Sequence, residues 1–315
     1  MATASADIPQ IPTLSLATGA TIPQLGFGTY KITEHVVEAV SNALALGYRH
    51  LDTAQMYHNE AEVGQAWAQS GVAREELFIT TKLDNPNHEP DVARAAFAQS
   101  LKDLRTDYVD LFLIHWPLPT LYGGDFVTTW KVLEEFYEDG RARAIGVSNF
   151  EPHHLEVLLE QSSVVPMVNQ IESHPYLLNQ EVHDFDDKHS IITEAWSPLA
   201  RGRAASDDRL SEIAHEVSEQ AERDVSAAQV ALRWALQRGD VIFPKSVTPE
   251  RQRANMMLFD FELTDQQMAA VAALDEGEEG RTGAHPDVMD RLRARHLPTT
   301  RRKSHVRTQA CGSRW

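Results

Sequence analysis

A chain of 315 residues with 42% apolar and 24% charged content can bury one large core or two small ones, and no apolar run approaches the ~20 residues needed to cross a bilayer. Its net charge of −17 excludes nonspecific binding to nucleic acid or anionic membrane, because such binding runs on phosphate neutralisation by Lys and Arg. The one cysteine, Cys311, excludes an intrachain disulfide and leaves any redox chemistry to a cofactor, so a small-molecule partner is expected.

The opening segment, MATASADIPQIP, has no basic region followed by an apolar stretch, which points to a cytoplasmic protein. Next, Thr13–Leu16 and Thr21–Pro23 flank Ala17–Ala20, the pattern of a hairpin turning at Gly19. Eight β-like runs follow: Leu25–Gly28, Arg49–Asp52, Leu77–Lys82, Tyr108–His115, Arg143–Ser148, Val165–Gln170, Ile191–Trp196 and Val241–Lys245. Between them lie stretches of helical period, such as Glu34–Leu46, Glu60–Ser70, Val92–Leu104 and Ala227–Gln237. From Arg291 onward there are eight Arg or Lys residues and no Asp or Glu. That composition predicts a single barrel domain over residues 1–290 and a disordered basic tail over 291–315.

Strand–helix alternation implies parallel strands, either closed as a barrel or opened as a doubly wound sheet. Eight units, and no Gly-rich dinucleotide fingerprint after the first strand, favour an α/β fold of the (β/α)8 TIM barrel type, capped by the N-terminal hairpin and followed by the C-terminal extension. Nearly every apolar run ends in a polar or reactive residue: Asp52, Lys82, His115, Ser148 with Asn149, Gln170, Trp196 with Ser197, and Lys245 with Ser246. In a barrel these ends meet at one face, where active sites form. His153–His154 shows no third ligand at metal spacing, and no HExxH or CxxC motif occurs, so no metal is expected.

The motifs Gly47-Tyr-Arg-His-Leu-Asp-Thr-Ala-Gln-Met-Tyr57, Ile79-Thr-Thr-Lys82-Leu, Asp107 to Pro117, Ile145-Gly-Val-Ser-Asn-Phe150 and Phe243-Pro-Lys-Ser246 resemble the aldo-keto reductases in identity, order and spacing. The resemblance runs from about Leu14 to Val288 and is strongest toward bacterial reductases of the 2,5-diketogluconate type. It implies an NADPH-dependent carbonyl reductase, usually monomeric, with Asp52, Tyr57, Lys82 and His115 as the catalytic group. Reducing a carbonyl needs hydride at carbon and a proton at oxygen. Tyr57 is the implied acid, Lys82 the charge that lowers its pKa, Asp52 the counter-ion of Lys82, and His115 the group that orients the substrate oxygen.

The same resemblance assigns the cofactor to Thr29, Tyr30, Asp52, Ser148, Asn149, Gln170, Trp196, Ser197, Leu199, Lys245, Ser246, Arg251 and Asn255. In it Trp196 is the platform for the nicotinamide, and Lys245, Ser246 and Arg251 are partners of a 2′-phosphate. Ala254 stands where relatives often carry an acid, and Asp84 where many carry Trp. Tyr30, Tyr57, His115 and Trp116 are the implied substrate contacts, with the loops Pro117–Gly124, Arg201–Asp208 and Gly280–Val288 around them. A carbonyl small molecule suits that aromatic mouth. The alternative reading is an NADPH-binding sensor or partner subunit with little turnover.

Overall fold

The computed structural model describes residues 10–292; Cys311 and the basic tail beyond Leu292 lie outside the described residues. The expected hairpin forms from β1 (Thr13–Ser15) and β2 (Thr21–Pro23), antiparallel, with Leu14 opposite Ile22. Its turn uses Gly19 at φ +82°, a left-handed conformation that only glycine adopts without steric cost. Leu16 and Ile22 are buried against Phe78, Leu111, Met167 and Val241, which stand at the starts of barrel strands, and against Phe243, just past the end of the last one. The hairpin therefore plugs the N-terminal end of the barrel.

The eight barrel strands are β3 (Phe27–Gly28), β4 (His50–Asp52), β5 (Phe78–Leu83), β6 (Leu111–Ile114), β7 (Ile145–Ser148), β8 (Val168–Glu172), β9 (Ile192–Trp196) and β10 (Val241–Ile242). They pair in parallel, each with its neighbour in sequence. A parallel bridge from Leu25 to Ile242 closes the ring, with Gly26 N–H donating to the Ile242 carbonyl at 2.9 Å. The barrel reading holds over the open sheet. Several strands are shorter than expected, β3, β6 and β7 among them; in two the cause is a proline, since Pro166 and Pro244 carry no N–H for a ladder, so β8 starts later and β10 stops earlier.

Helices α1 (Val36–Ala45), α2 (Glu60–Ser70), α3 (Pro90–Asp103), α4 (Val127–Glu138), α5 (Pro152–Gln161) and α6 (Gln180–Lys188) each return the chain to the next strand. Between β9 and β10 there are two, α7 (Asp208–Ala221) and α8 (Ala227–Gln237); α9 (Pro249–Ala254) and α10 (Asp265–Ala272) follow the last strand. The main core fills the space between barrel and helices. α8 shows how local sequence builds it: Ser226 Oγ accepts from Gln229 N and Gln229 Oε1 accepts from Ser226 N, a capping box worth about 1 kcal/mol. Beyond that start Val230, Ala231, Trp234 and Ala235 turn one face inward and are buried.

Candidate active site

Alternation along each strand places every second side chain inside the barrel, so the polar strand ends converge at its C-terminal face. Asp52 ends β4, Lys82 lies one residue before the end of β5, His115 follows β6, and Tyr57 sits on a 3-10 turn (Gln55–Tyr57) just past β4. Lys82 is fully buried and uses all three of its donors. Its Nζ donates to Asp52 Oδ2 at 2.7 Å, to the Thr53 carbonyl at 2.9 Å and to Tyr57 Oη at 3.3 Å. Because Tyr57 Oη accepts from Lys82, its own hydrogen is free for another acceptor, and no side chain or carbonyl among the described residues takes it. The His115 ring lies 5.8 Å from the Tyr57 ring, nearly edge-on, and its Nδ1 has no hydrogen-bond partner among the described residues.

Burial sets the protonation states. Desolvation, with the charges of Asp52 and Tyr30 adding to it, raises the Tyr57 phenol well above its ordinary value. The expected lowering by Lys82 is thus outweighed, and the phenol is firmly protonated. Desolvation, then the Lys82 charge, holds His115 well below its ordinary value, so its imidazole is neutral and carries a single N–H.

Ser148, Asn149 and Gln170 are buried together and bonded to one another. Ser148 Oγ donates to the Gln170 carbonyl at 2.8 Å, and Asn149 Nδ2 donates to the His115 carbonyl at 2.9 Å and to Ser148 Oγ at 3.0 Å. Trp196 Nε1 donates to Asn149 Oδ1 at 2.8 Å, which fixes the indole, half-buried, beside this group. Asn149 and Ser197 are both left-handed, at φ +63° and +53°, a conformation that costs non-glycine residues free energy and concentrates at functional sites.

The remaining expected residues fall into two sets. Thr29 is buried and donates to the Asp52 carbonyl at 3.0 Å, a strut for the catalytic strand; Tyr30 is 48% exposed, its ring 5.0 Å from that of Tyr57. Leu199 is half-buried beyond β9, and Trp116 packs with Leu118 and Met289 into an apolar wall at the mouth. Across the mouth, Lys245 and Arg251 are exposed. Lys245 lines a groove with Lys31, Glu34, His35, Glu38 and Val247; Ser246 and Asn255 are buried. Asp84 is a structural cap, its Oδ1 accepting from Asn85 N at 2.8 Å.

Three buried acids escaped the sequence reading. Glu194 accepts from Gln170 Nε2 at 2.7 Å, and Glu60 accepts from Thr81 Oγ1 at 2.6 Å. Glu172 accepts from the backbone N–H groups of Thr282 at 2.8 Å and Gly283 at 2.9 Å, pinning the C-terminal segment against the Trp196 ring. The expectation for His153–His154 also needs correction, because His154 is buried and Asp287 supplies the third group. His153 Nε2 lies 3.0 Å and His154 Nε2 3.4 Å from Asp287 Oδ1. His154 Nδ1, however, accepts from Glu151 N, so its proton sits on Nε2, which makes no hydrogen bond among the described residues. The trio is a clasp in which His153 hydrogen-bonds Asp287 and His154 stands within ion-pair distance of the same oxygen.

The family model for the aldo/keto reductases matches residues 24–276. The chain belongs to that family. This aldo-keto reductase is 45% identical over 276 residues to an aldo-keto reductase of Mycolicibacterium smegmatis, covering 87% of this chain and 97% of that one. It is 44% identical over 278 residues to glyoxal reductase of Bacillus subtilis, covering 87% and 96%. The crystal structure of a Gox0644 mutant in complex with NADPH matches with a TM-score of 0.82 at 40% identity, covering 90% of this chain and 100% of that one. As a member of the family, the chain is an NADPH-dependent oxidoreductase acting on carbonyl groups. Among the described residues, no helix is long and apolar enough to cross a membrane.

Proposed function

We propose that this aldo-keto reductase reduces aldehydes and α-dicarbonyls, with Tyr57 as the general acid, and that it acts as a cytoplasmic monomer. The observation that carries the reading is the Lys82 contact: its ammonium donates to Tyr57 Oη while Asp52 holds it at 2.7 Å, leaving the phenol proton for the substrate. NADPH, when bound, supplies the hydride to the carbonyl carbon. Tyr57 and His115 both donate to the carbonyl oxygen and orient it. As charge builds on that oxygen, the Tyr57 proton moves to it, giving an alcohol, and the phenolate left behind is stabilised by the Lys82 ammonium.

The residues present suit the cofactor. Trp196 offers an indole held in place by Asn149, and Ser148, Asn149 and Gln170 are neutral partners for a carboxamide. Tyr30, Ser197 and Leu199 would border the same space, while the exposed cations Lys245 and Arg251, with Ser246 and Asn255, would serve a 2′-phosphate and its adenosine. For the substrate, the wall of Trp116, Leu118 and Met289 with the Tyr30 and Tyr57 rings favours small carbonyls, and the likeness to a glyoxal reductase agrees with α-dicarbonyls. A net charge of −17 opposes self-association, and a single cysteine fits a reducing compartment.

The test is NADPH oxidation with glyoxal, methylglyoxal and a panel of aldehydes. Tyr57→Phe should lose about 10²- to 10⁴-fold in turnover while still quenching its tryptophan fluorescence with NADPH. A Tyr57→Phe enzyme that turns over normally refutes the assignment of the acid. A native protein that binds NADPH but reduces nothing favours the sensor reading instead.

A further inference from the structure

The catalytic ion pair is the end of a longer buried chain of polar groups. Lys82 donates to Asp52, Gln170 Nε2 donates to Asp52 Oδ2 at 3.0 Å, and the same Nε2 donates to Glu194 Oε2 at 2.7 Å. Gln170 and Glu194 are register partners on β8 and β9, so both side chains enter the barrel at one level. A primary amide has two N–H donors and one carbonyl. With both donors taken by carboxyl groups, Gln170 keeps only Oε1, which has no partner among the described residues, to offer outward.

Glu194 itself has no evident role in stability. Its side chain is fully buried, and Oε1 has no hydrogen-bond partner among the described residues. A buried carboxyl with one oxygen unsatisfied costs free energy that a Met or Leu at the same place would not. Desolvation, and then the neighbouring Asp52 carboxylate, pushes its pKa up to about 8. At neutral pH it is therefore protonated and coexists with Asp52 without a second buried charge.

We infer that Glu194 is a positioning residue: it fixes the direction of the Gln170 amide so that Oε1 faces the nicotinamide site and accepts an N–H of the cofactor's carboxamide. The inference rests on the cofactor site proposed above. With Glu194 removed, Gln170 loses one of its two anchors, and the amide samples orientations that present N–H to an N–H. The cofactor then loses an acceptor at its nicotinamide end and nothing at its adenosine end.

The experiment measures the affinity of the full-length protein for NADPH and for 2′,5′-ADP by fluorescence quenching, and kcat at saturating NADPH. Native binding of NADPH comes first, because its failure would remove the cofactor site itself and not this inference. Glu194→Met should bind NADPH about tenfold more weakly, with 2′,5′-ADP affinity unchanged and kcat lowered less than about threefold. Glu194→Gln, which restores an acceptor without charge, should recover NADPH affinity to within about threefold of native. In a Gln170→Leu background, Glu194→Met should have no further effect. Native NADPH affinity in Glu194→Met overturns the inference; so do equal losses in the Gln and Met variants, a parallel loss of 2′,5′-ADP binding, or additivity with Gln170→Leu. If Glu194→Met does not fold, Glu194→Leu takes its place in the same comparison.

Discussion

Removing one member of the Asp52–Lys82 pair should cost more stability than removing both. The Lys82 side chain is fully buried and that of Asp52 is 6% exposed, with 2.7 Å between Nζ and Oδ2. Lys82→Met leaves the Asp52 carboxylate with only Gln170 Nε2 at 3.0 Å; Asp52→Leu leaves the ammonium with a carbonyl and a phenol oxygen. Either uncompensated charge should cost about 3–5 kcal/mol. At roughly 2–4 °C per kcal/mol for a domain of this class, each single variant should melt about 6–20 °C lower. The double variant Asp52→Leu/Lys82→Met buries no charge there and should return to within about 1–2 kcal/mol of native. Turnover should fall at least about 10²-fold in all three, because each loses the ammonium or its control at Tyr57. Thermal melts with NADPH oxidation on the same samples decide it. A double variant as unstable as the singles would refute charge compensation, and a single variant with native turnover would remove the pair from the chemistry.

Three further outcomes follow from other parts of the structure. Burial raises Glu60 to about 7 against 4.5 in a solvated chain, so its contribution to stability is whole below about pH 4.5 and lost as pH rises through 7. Glu60→Gln should therefore gain on native protein between pH 5 and pH 8 in paired melts, and a pH-independent difference would contradict this. A Cβ at Gly283 would stand 2.5 Å from Trp196 Cη2, so Gly283→Ala should displace the indole and weaken NADPH binding about three- to tenfold, read by fluorescence titration; an unchanged Kd would mean that the ring tolerates the shift. Lys245→Met and Arg251→Met should each raise KM for NADPH at least about tenfold with kcat and the KM for NADH little changed. Equal effects on both cofactors would place the 2′-phosphate elsewhere.

The sequence made the frame of this site legible because barrel strands are short apolar runs whose polar ends stand out. Asp52, Lys82, His115, Ser148 and Trp196 could each be picked out by position alone. The buried acids were not, because an acid inside a strand reads as an outward residue until the inward face is known. The signal was present. Trp196 lines the mouth, so Glu194, two residues earlier on β9, must share its side of the sheet; Gln170 and Glu172 stand in the same relation on β8. The His154–Asp287 contact had no such signal, since a clasp between α5 and the segment near residue 287 depends on the path of a long loop. The ionisation of Tyr57 was misjudged because proximity to Lys82 is visible in motif spacing whereas desolvation is a property of the packed barrel.

That misjudgement bears on the direction of the chemistry. A phenol held well above its ordinary value by burial is protonated at every pH near neutrality, and it is a proton donor that carbonyl reduction needs. Alcohol oxidation needs the opposite form, a phenolate able to take a proton, and the same burial makes that form scarce. Lys82 cannot correct the balance in the resting site, because Asp52 neutralises much of its charge at 2.7 Å. The Lys82 N–H points at Oη, so it lessens, without cancelling, the cost that burial sets on the phenolate formed when the proton passes to a substrate oxygen. Burial thus keeps the resting group a phenol, and the Lys82 ammonium moderates the charge left on Oη when that phenol gives up its proton.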